Sequence, residues 1–575
     1  MDWSAPQVKS APRVPCGLAP LLAFAGVACV GASLLAYLLL RFPFDGLYGQ
    51  DSYAYYYQSL ELWRRLTGGE VPRWPFEGVG LYHWPVGYHL HIIAGLVVGD
   101  GPQGGRAITL VMAVLLPVMV AVLAWELLRY RPAPERLFAG VVAGLTLLFT
   151  GVYVRSGLAL MSDLPALFWT MLGLNCWVRA VALSDNPYPR RAAPVAVYGF
   201  IAGLALGMAV AVRYTSVLLV VPALAYLLAY RPLPASVDPR AAGEHPVQSR
   251  TRFARPTWAL QSLRRLLTWG GVGFAMGLLP QIAYRLSYTN SPAGLPVDWN
   301  MGNFFATIVS RSSGDMAVFS YPMSVFYVVM PAADPSGTFL SPLYLPALAL
   351  GLALMVRKRQ WPALTLLVSW WLVPALFLSG TTFQTHRYVL AYLPPLAVLI
   401  GTGTINALRS AASTYSLPLA WGRKWAAAVF AALALVGIVG GLSHGLVAAH
   451  DNARMLAGFQ AEEQALASLV KEAVSLPHAP TGQGSVGIVC FGVSAALYHN
   501  TGWAVLDFYN HDEAEINHFV QAHDTSLLVV PTELMDTRWH NTPSARRWHY
   551  MQRAYRLVFA GRIGQYSVYL VEGMR

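Results

Sequence analysis

The 575-residue sequence predicts a polytopic α-helical membrane protein with an α/β domain at its C-terminal end. Three observations support this fold class. The residues are 55% hydrophobic and only 12% charged, the mean hydropathy is +0.45, and apolar segments of membrane-spanning length recur up to residue 447. This composition argues against a soluble enzyme and against a nucleic-acid-binding protein. The net charge of +12 is explained by the Lys and Arg bias of cytoplasmic loops.

We predict eleven membrane-spanning helices, because a helix needs about 20 mostly apolar residues to cross a hydrocarbon core of about 30 Å. Lys and Arg are more frequent in every second connecting segment, which predicts a cytoplasmic N-terminus and an outer C-terminus. The first span lacks a small-residue cleavage pattern, so we expect it to remain as an anchor. The predicted spans are 17–40, 106–128, 137–154, 158–178, 194–212, 214–230, 266–286, 339–356, 361–379, 388–407 and 425–447.

Two large segments on the predicted outer side carry structure of their own. The first outer loop, 41–105, contains an apolar stretch at 85–98 that is too short to span and is predicted to be an interfacial or re-entrant helix. The tail, 448–575, alternates strand and helix patterns and lacks a Gly-rich phosphate loop, which predicts a small accessory α/β domain. We therefore divide the chain into a transmembrane domain, 1–447, and an extracytoplasmic domain, 448–575. The four cysteines are scattered and indicate neither a disulfide framework nor a cysteine metal site.

The start of the first outer loop carries two carboxylates among aromatic side chains. Asp45 and Asp51 follow the first span, together with Tyr53 and Tyr55. A carboxylate at the membrane surface can accept a proton from a hydroxyl nucleophile, so both acids are candidate catalytic residues. Each also has a structural interpretation, because Asp51 precedes a helical pattern that it could cap and Asp45 precedes a glycine in a turn-like sequence.

Four arginines lie at predicted outer ends of spans, against the positive-inside bias. Planar guanidinium groups bind phosphate well, so these side chains could surround the phosphate of a lipid carrier. The alternative is that each one extends to the lipid headgroups. We favour Arg387, which follows His386. The four are Arg155, Arg213, Arg285 and Arg387.

A third group of candidates leads into the short apolar stretch. Tyr82, Trp84 and His89 are typical of sugar-stacking platforms and equally of membrane-interface anchors. A metal site is not predicted, because His89 and His91 are two residues apart, whereas a helix would need a spacing of four.

Taken together, these segments resemble the GT-C superfamily of integral membrane glycosyltransferases, which includes protein O-mannosyltransferases and lipid A aminoarabinose transferases. The order and the sidedness of the segments carry the resemblance. The matching sequences are QDSYAYY (50–56), YHWPVGY (82–88), MSDLPALF (161–168) and HRYVLAYLPP (386–395).

The resemblance implies an inverting transfer of a sugar from a polyprenyl-phosphate donor to a protein, lipid or glycan acceptor on the outer face of the membrane. It maps Asp51 to the base that deprotonates the acceptor, and Arg387, with Arg213 as a weaker match, to groups that neutralise the leaving phosphate. Many members have two adjacent acids here, whereas this chain has Gln50 before Asp51. Asp45 can take the place of the second acid only if the loop folds back.

The further expectations concern location, cofactors and rival functions. We expect an inner (plasma) membrane protein in contact with membrane lipids, with its active site facing the periplasm or the cell exterior, and no nucleic-acid partner. No cofactor is expected, although some relatives use a divalent cation. A lipid-linked sugar flippase or transporter, and a non-enzymatic envelope assembly protein, are the alternatives; few charges within the spans and no internal repeat argue against the first.

Overall fold

The computed structural model describes residues 18–68, 85–184, 192–230, 257–287, 299–307, 321–381, 384–415, 421–475, 485–507, 511–537 and 542–574. Helices dominate these ranges, and one small sheet follows them near the C-terminal end, which confirms the predicted fold class. The helices before the sheet are α1 (Leu18–Arg41), α2 (Gly49–Leu66), α3 (Val86–Val98), α4 (Gly101–Leu127), α5 (Ala133–Leu148), α6 (Gly151–Leu158), α7 (Asp163–Ser184), α8 (Ala192–Val212), α9 (Val220–Ala229), α10 (Thr257–Ser287), α11 (Leu345–Arg357), α12 (Trp361–Ser379), α13 (His386–Val389), α14 (Leu393–Tyr415) and α15 (Trp421–Val474).

Each predicted span coincides with apolar helical structure. Within the described ranges, eight helices are long and apolar enough to cross a membrane, and α5 with α6 forms a ninth candidate that is bent by 67°. Two shorter apolar helices, Tyr214–Ala229 and Pro342–Arg357, coincide with the remaining predicted spans. The chain is thus an integral, multi-pass membrane protein, and the predicted sidedness stays a prediction.

The bend between α5 and α6 differs from the single span predicted over 137–154. The backbone N–H groups of Gly151 and Val152 bond to the carbonyl oxygens of Gly337 and Thr338, at 3.1 and 2.9 Å. These contacts satisfy N–H groups that a broken helix exposes, so the break is tolerated. Hydropathy alone does not reveal it, because the segment stays apolar through the bend. The bend places α6 beside the 337–338 segment.

Helix α15 joins the membrane part to the sheet. Its 54 residues correspond to about 81 Å at 1.5 Å per residue, far more than the roughly 30 Å of a hydrocarbon core. We therefore treat only its first part, to residue 447, as membrane-spanning. Beyond that point Leu466, Val470 and Ala473 pack against the sheet. The predicted domain boundary at 447 falls inside this helix, and the two-domain division stays a prediction.

The C-terminal sheet has the strand order β2-β1-β3-β5-β4. Its parallel strands β1, β2 and β3 alternate with short helices, which is the predicted α/β pattern, and β4 and β5 form the predicted hairpin. Parallel strands end at the same edge, so Cys490 at the end of β1 lies beside Asp507 at the end of β2, which accepts a hydrogen bond from Gln50 of α2. The strands are β1 (Val486–Cys490), β2 (Ala504–Asp507), β3 (Thr525–Val530), β4 (Tyr555–Ile563) and β5 (Tyr566–Met574), and the helices are α16 (Ser494–Thr501), α17 (Glu513–Gln521), α18 (Thr532–Asp536) and α19 (Pro543–Ala554).

Candidate active site

A cavity of about 430 Å³ lies where α2, α6, the start of α13, α15 and the C-terminal sheet meet. One wall comes from the membrane part and carries cationic and imidazole groups. The other wall comes from α15 and the sheet and carries carboxylates and neutral polar groups. The first wall includes Asp51, Arg155, His386 and Arg387, and the second includes Glu462, Glu463, Gln565 and Tyr566.

Asp51 and Arg387 form an ion pair in this cavity. Arg387 Nη2 lies 2.5 Å from Asp51 Oδ2, and the two side chains are 24% and 34% exposed, so both are accessible to a ligand. Asp51 lies in the first turn of α2, where the helix dipole favours a negative charge. The N-cap position belongs to Tyr48, without a side-chain capping bond, so the structure does not support a capping role for Asp51.

Arg387 also makes contacts outside its ion pair with Asp51, and a second ion pair lies near it. Its Nη1 lies 3.3 Å from the sulfur of Met161, and its guanidinium carbon lies 5.6 Å from the centre of the Tyr388 ring. Arg213 stacks on the same ring at 4.4 Å and pairs with Asp163. Arg213 does not line the cavity.

The other outer arginines differ in position. Arg155 lines the cavity, bonds to the Tyr48 hydroxyl and has its guanidinium carbon 4.7 Å from the centre of the Tyr48 ring. Arg285 donates to the Tyr214 hydroxyl at 2.8 Å and does not line the cavity. The structure therefore brings two of the four arginines, Arg155 and Arg387, into one cavity.

His386 lies in the cationic wall, where its ring packs against Phe326 and Phe339 at centroid distances of 5.2 and 5.5 Å.

Asp45, in contrast, lies outside the cavity lining. Its Oδ1 accepts a hydrogen bond from the Leu47 N–H at 2.9 Å, which is the behaviour of a turn residue.

Among the aromatic and imidazole candidates, Tyr55 and His89 do not line the cavity. The Tyr55 hydroxyl is 3.0 Å from Ser162 Oγ. His89 is fully buried and has its Nδ1 2.9 Å from Ser59 Oγ. Burial lowers the pKa of His89 to about 4, so its imidazole is neutral at pH 7. Tyr82 and Trp84 lie outside the described residues.

Sequence reasoning missed Glu463, which lines the cavity from α15. Its Oε2 accepts a hydrogen bond from the Tyr53 hydroxyl at 2.7 Å. Burial is the main reason that the pKa of Glu463 is raised to about 7; the bond from Tyr53 lowers it, and the carboxylates of Asp45 and Glu462 raise it. The adjacent pair Glu462 and Glu463 was the available signal, but no spacing rule links it to the first loop.

The described residues contain no group of three or more His, Cys, Asp or Glu side chains that could hold a metal ion. One wall of the cavity presents a carboxylate and two guanidinium groups, and the other presents carboxyl and amide groups. Such a site can bind a phosphate, take a proton from a hydroxyl group and hydrogen-bond to a polyhydroxylated ligand.

Comparison with known proteins gave matches of two kinds. Residues 104–231 match the family model of dolichyl-phosphate-mannose-protein mannosyltransferase, whereas a search of the curated proteins gave no match. Among solved structures, ArnT from Cupriavidus metallidurans in the apo state is similar with a TM-score of 0.54 at 14% identity, over 96% of this chain and 97% of that one. ArnT bound to undecaprenyl phosphate gives a TM-score of 0.51 at 13% identity, over 96% and 98%.

The oligosaccharyltransferase of Archaeoglobus fulgidus, tethered to an acceptor peptide containing the NVT sequon, has a TM-score of 0.51 at 13% identity, over 94% of this chain and 73% of that one. These structures share the fold along nearly the whole chain, and the family model covers the segment from α4 to α9. The predicted resemblance to the GT-C superfamily, and with it the predicted enzyme class of membrane glycosyltransferase, is thereby confirmed.

Proposed function

We propose that the protein transfers a sugar, with inversion, from a polyprenyl-phosphate donor to an acceptor on the outer face of the membrane. The observation that carries the proposal is the pair of Asp51 and Arg387 in an accessible cavity. A lipid-phosphate donor is supported by the similarity to ArnT bound to undecaprenyl phosphate, and a peptide acceptor by the similarity to the oligosaccharyltransferase tethered to a peptide. A lipid or glycan acceptor is the alternative.

In the proposed mechanism, the donor phosphate binds Arg387 and Arg155, and Arg213 adds positive potential from behind Tyr388. A phosphate on Arg387 competes with Asp51 for the guanidinium group, so donor binding releases the carboxylate that the ion pair holds. Binding the donor thereby prepares the base.

Asp51 then takes the proton of the acceptor hydroxyl, or of another acceptor nucleophile. The acceptor atom forms a bond to the anomeric carbon while the bond from that carbon to the phosphate oxygen breaks. The electron pair leaves with the lipid phosphate, whose developing charge Arg387 neutralises, while Arg155 contributes to binding the phosphate. No nucleotide site is needed, because the donor carries its own leaving group.

The test uses purified protein in liposomes with a panel of radiolabelled polyprenyl-phosphate sugars and added peptide, lipid and glycan acceptors. We expect Asp51→Asn to lower the rate of transfer about 10²–10⁴-fold, the usual contribution of a general base. Asp45→Asn is the matched control in the same loop and should retain most of the activity. Parallel reactions with a chelator and with added divalent cations test the expectation of no cofactor.

Two outcomes would contradict the proposal. Equal transfer by the wild type and Asp51→Asn would remove Asp51 as the base. Binding of the lipid phosphate without transfer to any acceptor, combined with movement of the labelled lipid between leaflets, would favour the flippase alternative.

A further inference from the structure

Helix α2 bonds to the C-terminal part of the chain along one face and to the membrane part along another. The first face carries side chains at i, i+3 and i+7, and the second carries side chains at i, i+4 and i+8, which is the spacing of a helical face. Helix α2 therefore bridges the two parts of the molecule.

The bonds to the C-terminal part are Gln50 Nε2 to Asp507 Oδ2 (2.9 Å), Tyr53 Oη to Glu463 Oε2 (2.7 Å) and Tyr57 Oη to His499 Nδ1 (2.8 Å). The bonds to the membrane part are Asp51 Oδ2 to Arg387 Nη2 (2.5 Å), Tyr55 Oη to Ser162 Oγ (3.0 Å) and Ser59 Oγ to His89 Nδ1 (2.9 Å). At the start of the helix the two faces meet, because Gln50 and Asp51 are neighbours.

The contact made by Gln50 is chemically specific. Gln50 Nε2 donates to Asp507 Oδ2 and, at 3.0 Å, to Ser494 Oγ. The same carboxylate oxygen also accepts bonds from the Gly492 N–H and from Ser494 Oγ, both at 3.1 Å. Asp507 is buried at the end of β2, so position 50 must present a donor to it. A carboxylate there would place two negative charges in contact.

We infer that the contact between Gln50 and Asp507, called the latch below, positions Asp51, so that the C-terminal domain sets the geometry of the site. The inference rests on the proposed function. Asp51 is the next residue after Gln50, both line the cavity, and the preceding Gly49 has a φ of 63°, a conformation open to glycine. The C-terminal domain is then part of the active site, beyond the accessory role that the sequence predicts.

The test exchanges the charges of the latch. Gln50→Glu and Asp507→Asn are made singly and together in the full-length protein and assayed for transfer in liposomes. We expect Gln50→Glu to lower kcat by on the order of 10–100-fold, because a displacement of about 1 Å at a catalytic group has an effect of that size. The double variant restores a donor facing an acceptor, so its kcat should return to within about 5-fold of the wild type.

Two further variants separate positioning from folding. Gln50→Met keeps the side-chain length and removes the donor without adding a charge, so it should give a smaller loss of kcat. Asp524→Asn changes a carboxylate that binds the Ser485 N–H at 2.9 Å, away from the cavity. It should lower the melting temperature and leave kcat unchanged.

The inference is overturned if Gln50→Glu retains the kcat of the wild type, if the double variant is no better than Gln50→Glu, or if Asp524→Asn loses kcat to the same extent at the same loss of melting temperature. These results are distinct from a failure of the proposed function, in which the wild type and Asp51→Asn transfer sugar equally or neither transfers any.

Discussion

The two walls of the cavity differ in charge and in origin. The wall from the membrane part presents the guanidinium groups of Arg155 and Arg387 beside the carboxylate of Asp51, whereas the wall from α15 and the sheet presents Glu462, Glu463 and the neutral side chain of Gln565. A phosphate is attracted to the first wall and repelled by a charged second wall. In the proposed function, this difference orients the donor with its phosphate toward the membrane helices.

Among the arginine and glutamate variants of the two walls, the largest effect should come from removing the cation nearest to the base. We expect Arg387→Gln to lower kcat about 10²–10³-fold, because the leaving phosphate loses the group that neutralises it and Asp51 loses its partner. Transfer by the purified variant in liposomes measures this effect. Arg387→Lys keeps the charge without the planar fork and should recover part of the rate.

A matched control for this prediction is Arg357→Gln, an exposed arginine in the last turn of α11, outside the cavity. It should transfer sugar at the rate of the wild type. If Arg387→Gln also transfers sugar at the rate of the wild type, the cationic wall does not contact the leaving group. The difference in charge between the two walls then has no bearing on the reaction.

A smaller effect is expected within the same wall. Arg155 lines the cavity, and no carboxylate in the described part of the chain forms an ion pair with it. Arg155→Gln should therefore raise the donor KM about 10-fold and leave kcat within a few-fold of the wild type. Steady-state kinetics against donor concentration separate the two parameters. Arg285→Gln, outside the cavity, serves as the control. A fall in kcat equal to that of Arg387→Gln would mean that both arginines act on the transition state.

The sequence predicted the cationic wall better than the acidic one. An arginine at the outer end of a span stands out against the positive-inside bias, which is why Arg155 and Arg387 were found. Glu463 has no such signal, because acids are common in extracytoplasmic segments and only tertiary packing brings this one into the cavity that Asp51 lines. The sequence context of Asp45, which precedes a glycine, favoured a turn over a catalytic acid, and its hydrogen bond to the Leu47 N–H agrees with the turn.

The backbone was also predicted unevenly. Hydropathy located the spans, because it measures the transfer of side chains into lipid. It did not reveal the bend between α5 and α6, which depends on hydrogen bonds from a distant loop, nor the continuity of α15 through residue 447. Both features place residues of the cavity, so the parts of the fold that shape the site were those least visible in the sequence.

The smallest expected effect concerns the acidic wall. Because the pKa of Glu463 is raised to about 7 in the folded protein, from 4.5 in an exposed carboxyl group, the folded state binds more protons than the unfolded state between these values. This contribution to stability is fully present below pH 4.5 and is lost as the pH rises through 7. Glu463→Gln removes this pH-dependent contribution, so the melting temperature of the variant in detergent should fall less than that of the wild type between pH 5 and pH 8, with a difference of about 1–3 °C.

Glu472→Gln, at an exposed position of the same helix, should follow the wild type. If Glu463→Gln and the wild type have parallel melting curves over this pH range, Glu463 is charged throughout, and the second wall is then anionic toward any ligand.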